Sequence, residues 1–312
     1  MQPFEENAAS PENPAPEQRD LRSEVEDGIA SNSQQATFKV DPNPVAASRE
    51  IYSPARVYPE DLRISWSWPH LILFILFGCI SLIVVQGTLA YIYLPHEKMP
   101  QKQMEEYLIS KPQFAIGSML IWYATIFFFL YVTLSILRGH PFWKTLGWRK
   151  LVPLNKEMPK NPLIYFFAGC GLSLIVAIAT AGMKAPENAP IEQLFKNRHT
   201  ALLFVGMAVL VAPLVEETLF RGYLYPMFAR WFGIGPGILV TGLLFGLMHG
   251  AQLGWTWSLV TMLVAVGVVF TIVRARTGTV FASFLMHLGY NSLISVAALL
   301  STHGFTKLPV GK

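Results

Sequence analysis

Residues 70–94 read HLILFILFGCISLIVVQGTLAYIYL, a stretch with no formally charged side chain. A helix needs about 20 apolar residues to cross the hydrocarbon core of a bilayer. Inside lipid, a helix also satisfies every backbone N–H and C=O internally, which few other structures can do. The stretch therefore predicts a transmembrane helix. Working outward, further apolar stretches lie at about 113–137, 162–183, 200–224, 235–251, 256–274 and 279–300. The expected fold is all-α, a polytopic transmembrane helix bundle of about 7–8 spans, with eight reached if the long region 190–230 divides. Trp66, Trp68, Trp143, Trp148, Trp231, Trp255 and Trp257 fall near stretch ends, where an interfacial aromatic belt would place them.

Residues 1–65 are of a different kind. They are rich in Pro, Glu, Ser, Asn and Ala and show no helical or strand periodicity, which predicts a disordered acidic tail. They hold 12 acids and 6 bases, whereas the remaining 247 residues hold 8 acids and 18 bases. The opening MQPFEENAASPENPAPEQRD has neither the basic nor the apolar segment of a signal peptide. Residues 66–312 are then the transmembrane domain. Its basic balance suits contact with anionic lipid headgroups of the bilayer. The bases lie in loops without an interleaved aromatic patch, so no nucleic-acid partner is expected. Cys79 and Cys170 sit inside apolar runs and give neither a disulfide framework nor metal-ligand spacing. Gly242, Gly246 and Gly250 form overlapping GxxxG spacings, read as helix packing. The loop 138–161 is the most basic one, with Arg138, Lys144, Arg149, Lys150, Lys156 and Lys160. Positive loops stay inside, so this loop is expected to be cytoplasmic. Two spans precede it, which makes the N-terminus cytoplasmic as well. The composition reads as that of an integral protein of a bacterial inner (cell) membrane. Nothing in it fixes the oligomeric state.

The chemistry must lie where polar groups interrupt the apolar runs. After the tail the acids are Glu97, Glu105, Glu106, Glu157, Glu187, Glu192, Glu216 and Glu217, and only Glu216 and Glu217 fall within an apolar run, in VGMAVLVAPLVEETLFRGYLY. A charge at mid-bilayer costs roughly 2.5–3.5 kcal/mol even on insertion scales, so such groups mark function. Glu217 and Arg221 are four apart, share a helix face and can neutralise one another. Glu216 points about 100° away, free to face a cavity as a general base. Pro213, three residues earlier, can kink the helix. His249 and His287 lie within or at the inner margin of spans, and Asn291, four residues after His287, is the only Asn after position 197. No Asp follows Asp61, no HExxH or GxSxG occurs, and neither Cys has a recognisable His partner. Aspartyl, zincin, serine and cysteine proteolysis are thereby set aside. What remains is water activation by Glu, with His and Asn as metal ligands or oxyanion donors, or a hydrogen-bonded network that only glues helices together.

The motifs EETLFR (Glu216–Arg221), FGLMH (Phe245–His249) and HLGYN (His287–Asn291) resemble, in order, the EExxxR, FxxxH and HxxxN motifs of the CPBP family of CAAX proteases and bacteriocin-processing enzymes, also called Abi. The resemblance covers roughly residues 160–300, leaving the tail and the first two spans outside. It implies an intramembrane endopeptidase, similar to type II CAAX prenyl endopeptidases, acting on a peptide or protein substrate. By that resemblance Glu216 activates the water, His249 lies beside it, His287 and Asn291 hold an oxyanion or a metal, and Glu217 and Arg221 support Glu216. Two His and one Glu (Glu216, His249, His287) could bind Zn2+ with an open position for water, and a metal-free Glu, His and Asn mechanism is equally open. The alternative function is a non-enzymatic membrane binding or bacteriocin-immunity protein that uses the same polar cavity. A proton-coupled transporter is a third, without the inverted hydropathy repeat many transporters show. One geometric difficulty stands: with straight spans ended as above, Glu216 and His249 would sit at different depths, unless the helix carrying Glu216 is longer or kinked.

Overall fold

A computed structural model describes residues 59–95, 99–152, 157–183, 194–195 and 197–306. The acidic tail expected over 1–65 lies outside the described residues up to position 58. Its last residues belong to the folded unit: Glu60–Leu62 form a 3-10 turn, and Leu62 packs with Tyr225 and Ala229.

All regular structure among the described residues is helical. The elements are α1 (Trp68–Tyr93), α2 (Gln101–Ser110), α3 (Pro112–Leu130, continuing as a π turn Tyr131–Ile136), the short α4 (Phe142–Thr145) and α5 (Pro162–Thr180). Next come α6 (Arg198–Phe232), α7 (Ile234–Met248), α8 (Trp257–Thr277) and α9 (Val280–Ser301). Six of them, α1, α3, α5, α6, α8 and α9, are long and apolar enough to cross a membrane. The seventh apolar stretch is α7. Its 15 residues span about 22 Å, short of the ~30 Å core. The architecture is that of an integral membrane protein, and large side chains such as Ile83, Ile178 and Leu300 are exposed on the outside of the bundle as a lipid-facing surface requires.

Local sequence fixes the helix ends. Asn161 accepts from the Leu163 N–H ahead of α5, with Pro162 in the first turn. Asn197 accepts from His199 and Thr200 ahead of α6, and Thr279 from Phe281 ahead of α9. Each cap satisfies N–H groups that a helix start leaves unpaired. Gly278 closes α8 at φ +71°, the left-handed conformation glycine adopts freely.

Two ends of the bundle can be told apart by their bonds. At the first end the entry to α1, the α3–α5 connection and the α8–α9 turn meet. Val280 N–H donates to Gly147 O, Thr279 Oγ1 to Arg149 O, and Arg149 pairs with Glu60 at 3.2 Å. The buried Arg274 of α8 pairs there with Asp61 at 3.0 Å. At the second end Arg198 Nε donates to Gly304 O, and Phe195 packs on Phe204 and Phe305. Trp66, expected in an interfacial belt, is instead buried and donates to Tyr223 O. Trp148 likewise turns inward, to Thr218 Oγ1.

Small residues set the tightest crossings. A Cβ on Gly242 or Gly246 would meet the backbone of Val268 or Val264 in α8, and one on Gly169 or Gly289 would meet the Met286 or Phe166 carbonyl across the α5–α9 crossing. Gly250 lies in the turn after α7, against the Trp255 ring.

Candidate active site

Glu216 lies inside α6, and the helix runs on past it to Phe232 rather than ending at 224. Gly233 then takes φ +94°, and α7 returns antiparallel. Glu216 is 17 residues before that glycine and His249 16 after it, so an antiparallel hairpin sets them at one level. The longer helix resolves the difference in depth that straight, shorter spans imply. Two π turns interrupt α6, Met207–Val211 and Thr218–Leu224, either side of Glu216. Such turns free backbone carbonyls and often mark functional sites. Here Ala208 O accepts from Asn291 Nδ2 at 2.7 Å, and Tyr223 O accepts from Trp66.

Glu217 and Arg221 have no exposed surface, and Arg221 Nη1 donates to Glu217 Oε1 at 2.8 Å. The rest of the guanidinium is held by α8: Nη2 donates to Gly267 O at 2.7 Å and Nε to Thr271 Oγ1 at 3.2 Å. The Phe245 ring lies 4.5 Å from the guanidinium carbon, a cation–π contact. Every part of this buried cation thus has a partner.

The two imidazoles are held in the same way. His287 Nδ1 lies 3.1 Å from Glu217 Oε1, a carboxylate oxygen that also accepts from Arg221, so the ring donates. His249 Nδ1 lies 2.7 Å from Phe245 O, which can only accept. Both rings therefore turn Nε2 toward Glu216 Oε2, at 3.7 Å from His249 and 3.9 Å from His287. That carboxylate oxygen is buried and has no hydrogen-bond partner. Three acceptor atoms facing one another across such gaps call for a donor between them. A water lying about 2.8 Å from them could give its two O–H groups to two of the three, Glu216 Oε2 among them.

The Glu216 side chain keeps 16% of its surface, against none for Glu217. It opens on a cavity of about 390 Å³ that is also lined by His249, His287, Asn291 and Tyr290. The structure thus brings Glu216, Glu217, Arg221, His249 and His287 into one network and places Asn291 on the same cavity. Among the described residues no group of three or more His, Cys, Asp or Glu has the arrangement of a metal centre.

Sequence reasoning missed the α8 contribution. Gly267 and Thr271, four apart, are weak signals in an apolar run. It also missed Met119 and Tyr123 of α3, which line the cavity although the second span lies outside the motif region.

A bundle of apolar helices with an anchored Glu, His and Asn set on an internal cavity defines the class, a polytopic membrane protein with a polar site buried among its helices. Residues 198–293 match the family model described as type II CAAX prenyl endopeptidase Rce1-like, the family that the three motifs resemble. The matched segment runs from the start of α6 well into α9 and contains all six candidate residues. Comparison with curated proteins and with solved structures gave no match.

Proposed function

We propose that the chain is an intramembrane endopeptidase of the CAAX-protease type, hydrolysing a peptide bond with water activated by Glu216. The observation that carries this reading is the unpartnered Glu216 Oε2, buried on a cavity and faced by two anchored imidazoles. Glu216 takes a proton from the water held there, and the hydroxide oxygen bonds to the scissile carbonyl carbon. His249 positions the water. The tetrahedral oxyanion is met on the His287 and Asn291 side, where Asn291 Nδ2 has one hydrogen on Ala208 O and a second to offer. Collapse breaks the C–N bond, and the leaving amine receives the proton from Glu216. Glu217 and Arg221 fix the His287 ring and hold the layer beneath.

Glu216, His249 and His287 are also the residues that would hold a zinc ion, since two anchored imidazoles and a carboxylate are its ordinary donors. Zinc there would act as a Lewis acid on the water. Among the described residues the three do not have the arrangement of a metal centre, and no step above depends on the metal. The membrane is proposed to be a bacterial inner membrane, with the N-terminal end of α1 on the cytoplasmic side and a peptide or protein as substrate.

Glu216→Gln keeps shape and burial but removes the base, so turnover should fall by about 10²–10⁴ while the protein stays folded. The assay compares membrane-protein fragments from cells expressing the wild type or the variant. Unchanged fragments with an unchanged cellular phenotype would favour the binding or immunity role instead.

A further inference from the structure

We propose that the substrate enters from the second end of the bundle, outside the cytoplasm, and presents an uncharged apolar stretch of an exported or membrane-anchored polypeptide to Glu216. This rests on the protease reading and on the cytoplasmic placement of loop 138–161.

The cavity walls give the direction of entry. Phe195 and Phe204 come from the α5–α6 connection and the start of α6, Gln252 and Leu253 from the α7–α8 turn, and Ala298 from the last turn of α9. All belong to the second end, and among the described residues no lining residue belongs to a first-end connection. Toward the first end the cavity stops at Phe270 and His287. Behind these lie Glu217, Arg221 and Thr271, all without exposed surface. One helical turn further along α8 comes the buried pair of Arg274 with Asp61. Two layers of bonded, fully packed polar groups close that route, because opening them would strand buried charges.

Charge gives the sides of the membrane. Among its described residues the α3–α5 connection at the first end holds Arg138, Lys144, Arg149, Lys150 and Lys160. The described residues at the second end hold Lys102 and Lys111 before α3 and Arg198 at the start of α6, and the α7–α8 turn at the cavity mouth holds no Lys or Arg. Basic loops are retained in the cytoplasm, which puts the mouth on the other side. Among the described residues the lining carries Glu216, His249 and His287 as its only titratable groups besides Tyr123 and Tyr290. A Lys, Arg, Asp or Glu side chain of a substrate would find no opposite charge there apart from the site itself, whereas apolar residues fit.

The test is side-specific labelling in a Cys79→Ala, Cys170→Ala background, with Gln252→Cys at the cavity mouth or Lys144→Cys at the first end. Both positions are exposed. A membrane-impermeant maleimide should label Gln252→Cys in intact cells and Lys144→Cys only after permeabilisation. The reverse pattern would place entry in the cytoplasm and overturn the proposal. Labelling of both from one side would overturn the two-ended geometry. The labelling does not depend on turnover, so it fails or succeeds separately from the loss of activity expected of Glu216→Gln.

Discussion

Glu216 and Glu217 are neighbours in sequence with opposite surroundings. Glu217 is sealed between Arg221 and His287 with no exposed surface, whereas Glu216 keeps 16% of its side-chain surface and lines the cavity. Thr271 acts at one remove from this division. Its hydroxyl donates to Gly267 O at 2.7 Å and accepts from Arg221 Nε. Thr271→Val keeps the volume and orphans that N–H, a loss of about 1–3 kcal/mol for a buried donor. Arg221 positions Glu217, and Glu217 positions His287, so we expect kcat to fall about tenfold or more with KM little changed. Thr271→Ser should restore it. Equal losses in the Val and Ser variants would show that the methyl group matters and the hydrogen bond does not.

At the level of elements, the pairing of α5 with α9 depends on Gly169 and Gly289. A Cβ on Gly289 would overlap the Phe166 carbonyl, backbone that has no rotamer by which to escape. This explains the middle glycine of HLGYN: it lets α9 lie close enough to α5 while His287 and Asn291 project to the other side. Gly289→Ala should cost stability at or above the 1–3 kcal/mol usual for overpacking, seen as a lower unfolding temperature in detergent, and should reduce cleavage. A variant with unchanged stability and rate would refute that crossing. The seven apolar stretches were legible because lipid demands long uncharged runs. So were the motif residues, because charge in such runs is rare. Two things were not. The sequence does not mark where α6 ends, since Tyr225–Phe232 reads as a mixed interfacial segment. Gly267 and Thr271 were hidden because a carbonyl and a hydroxyl do not stand out by composition; only the fold shows that they face Arg221.

For the molecule as a whole, the entry to α1 ties down the distant half of the chain. Arg274 and Asp61 keep 1% and 6% of their side-chain surface. Removing one partner of a buried pair typically costs about 3–5 kcal/mol, whereas replacing both with apolar residues is often neutral. Asp61→Asn should therefore lower the thermal midpoint strongly, and the double change Asp61→Leu with Arg274→Met should recover most of it. A single variant as stable as the wild type would show that the pair contributes little. The α6–α7 hairpin has its own consequence at this scale. It works as a ruler folded at Gly233: the distance counted down α6 from Glu216 must equal the distance counted up α7 to His249. One extra residue in either arm would turn the far side chain about 100° and slide it about 1.5 Å, taking the base and the imidazole out of reach of a shared water. Chains that keep this site can therefore change length between the first two motifs only at the fold itself.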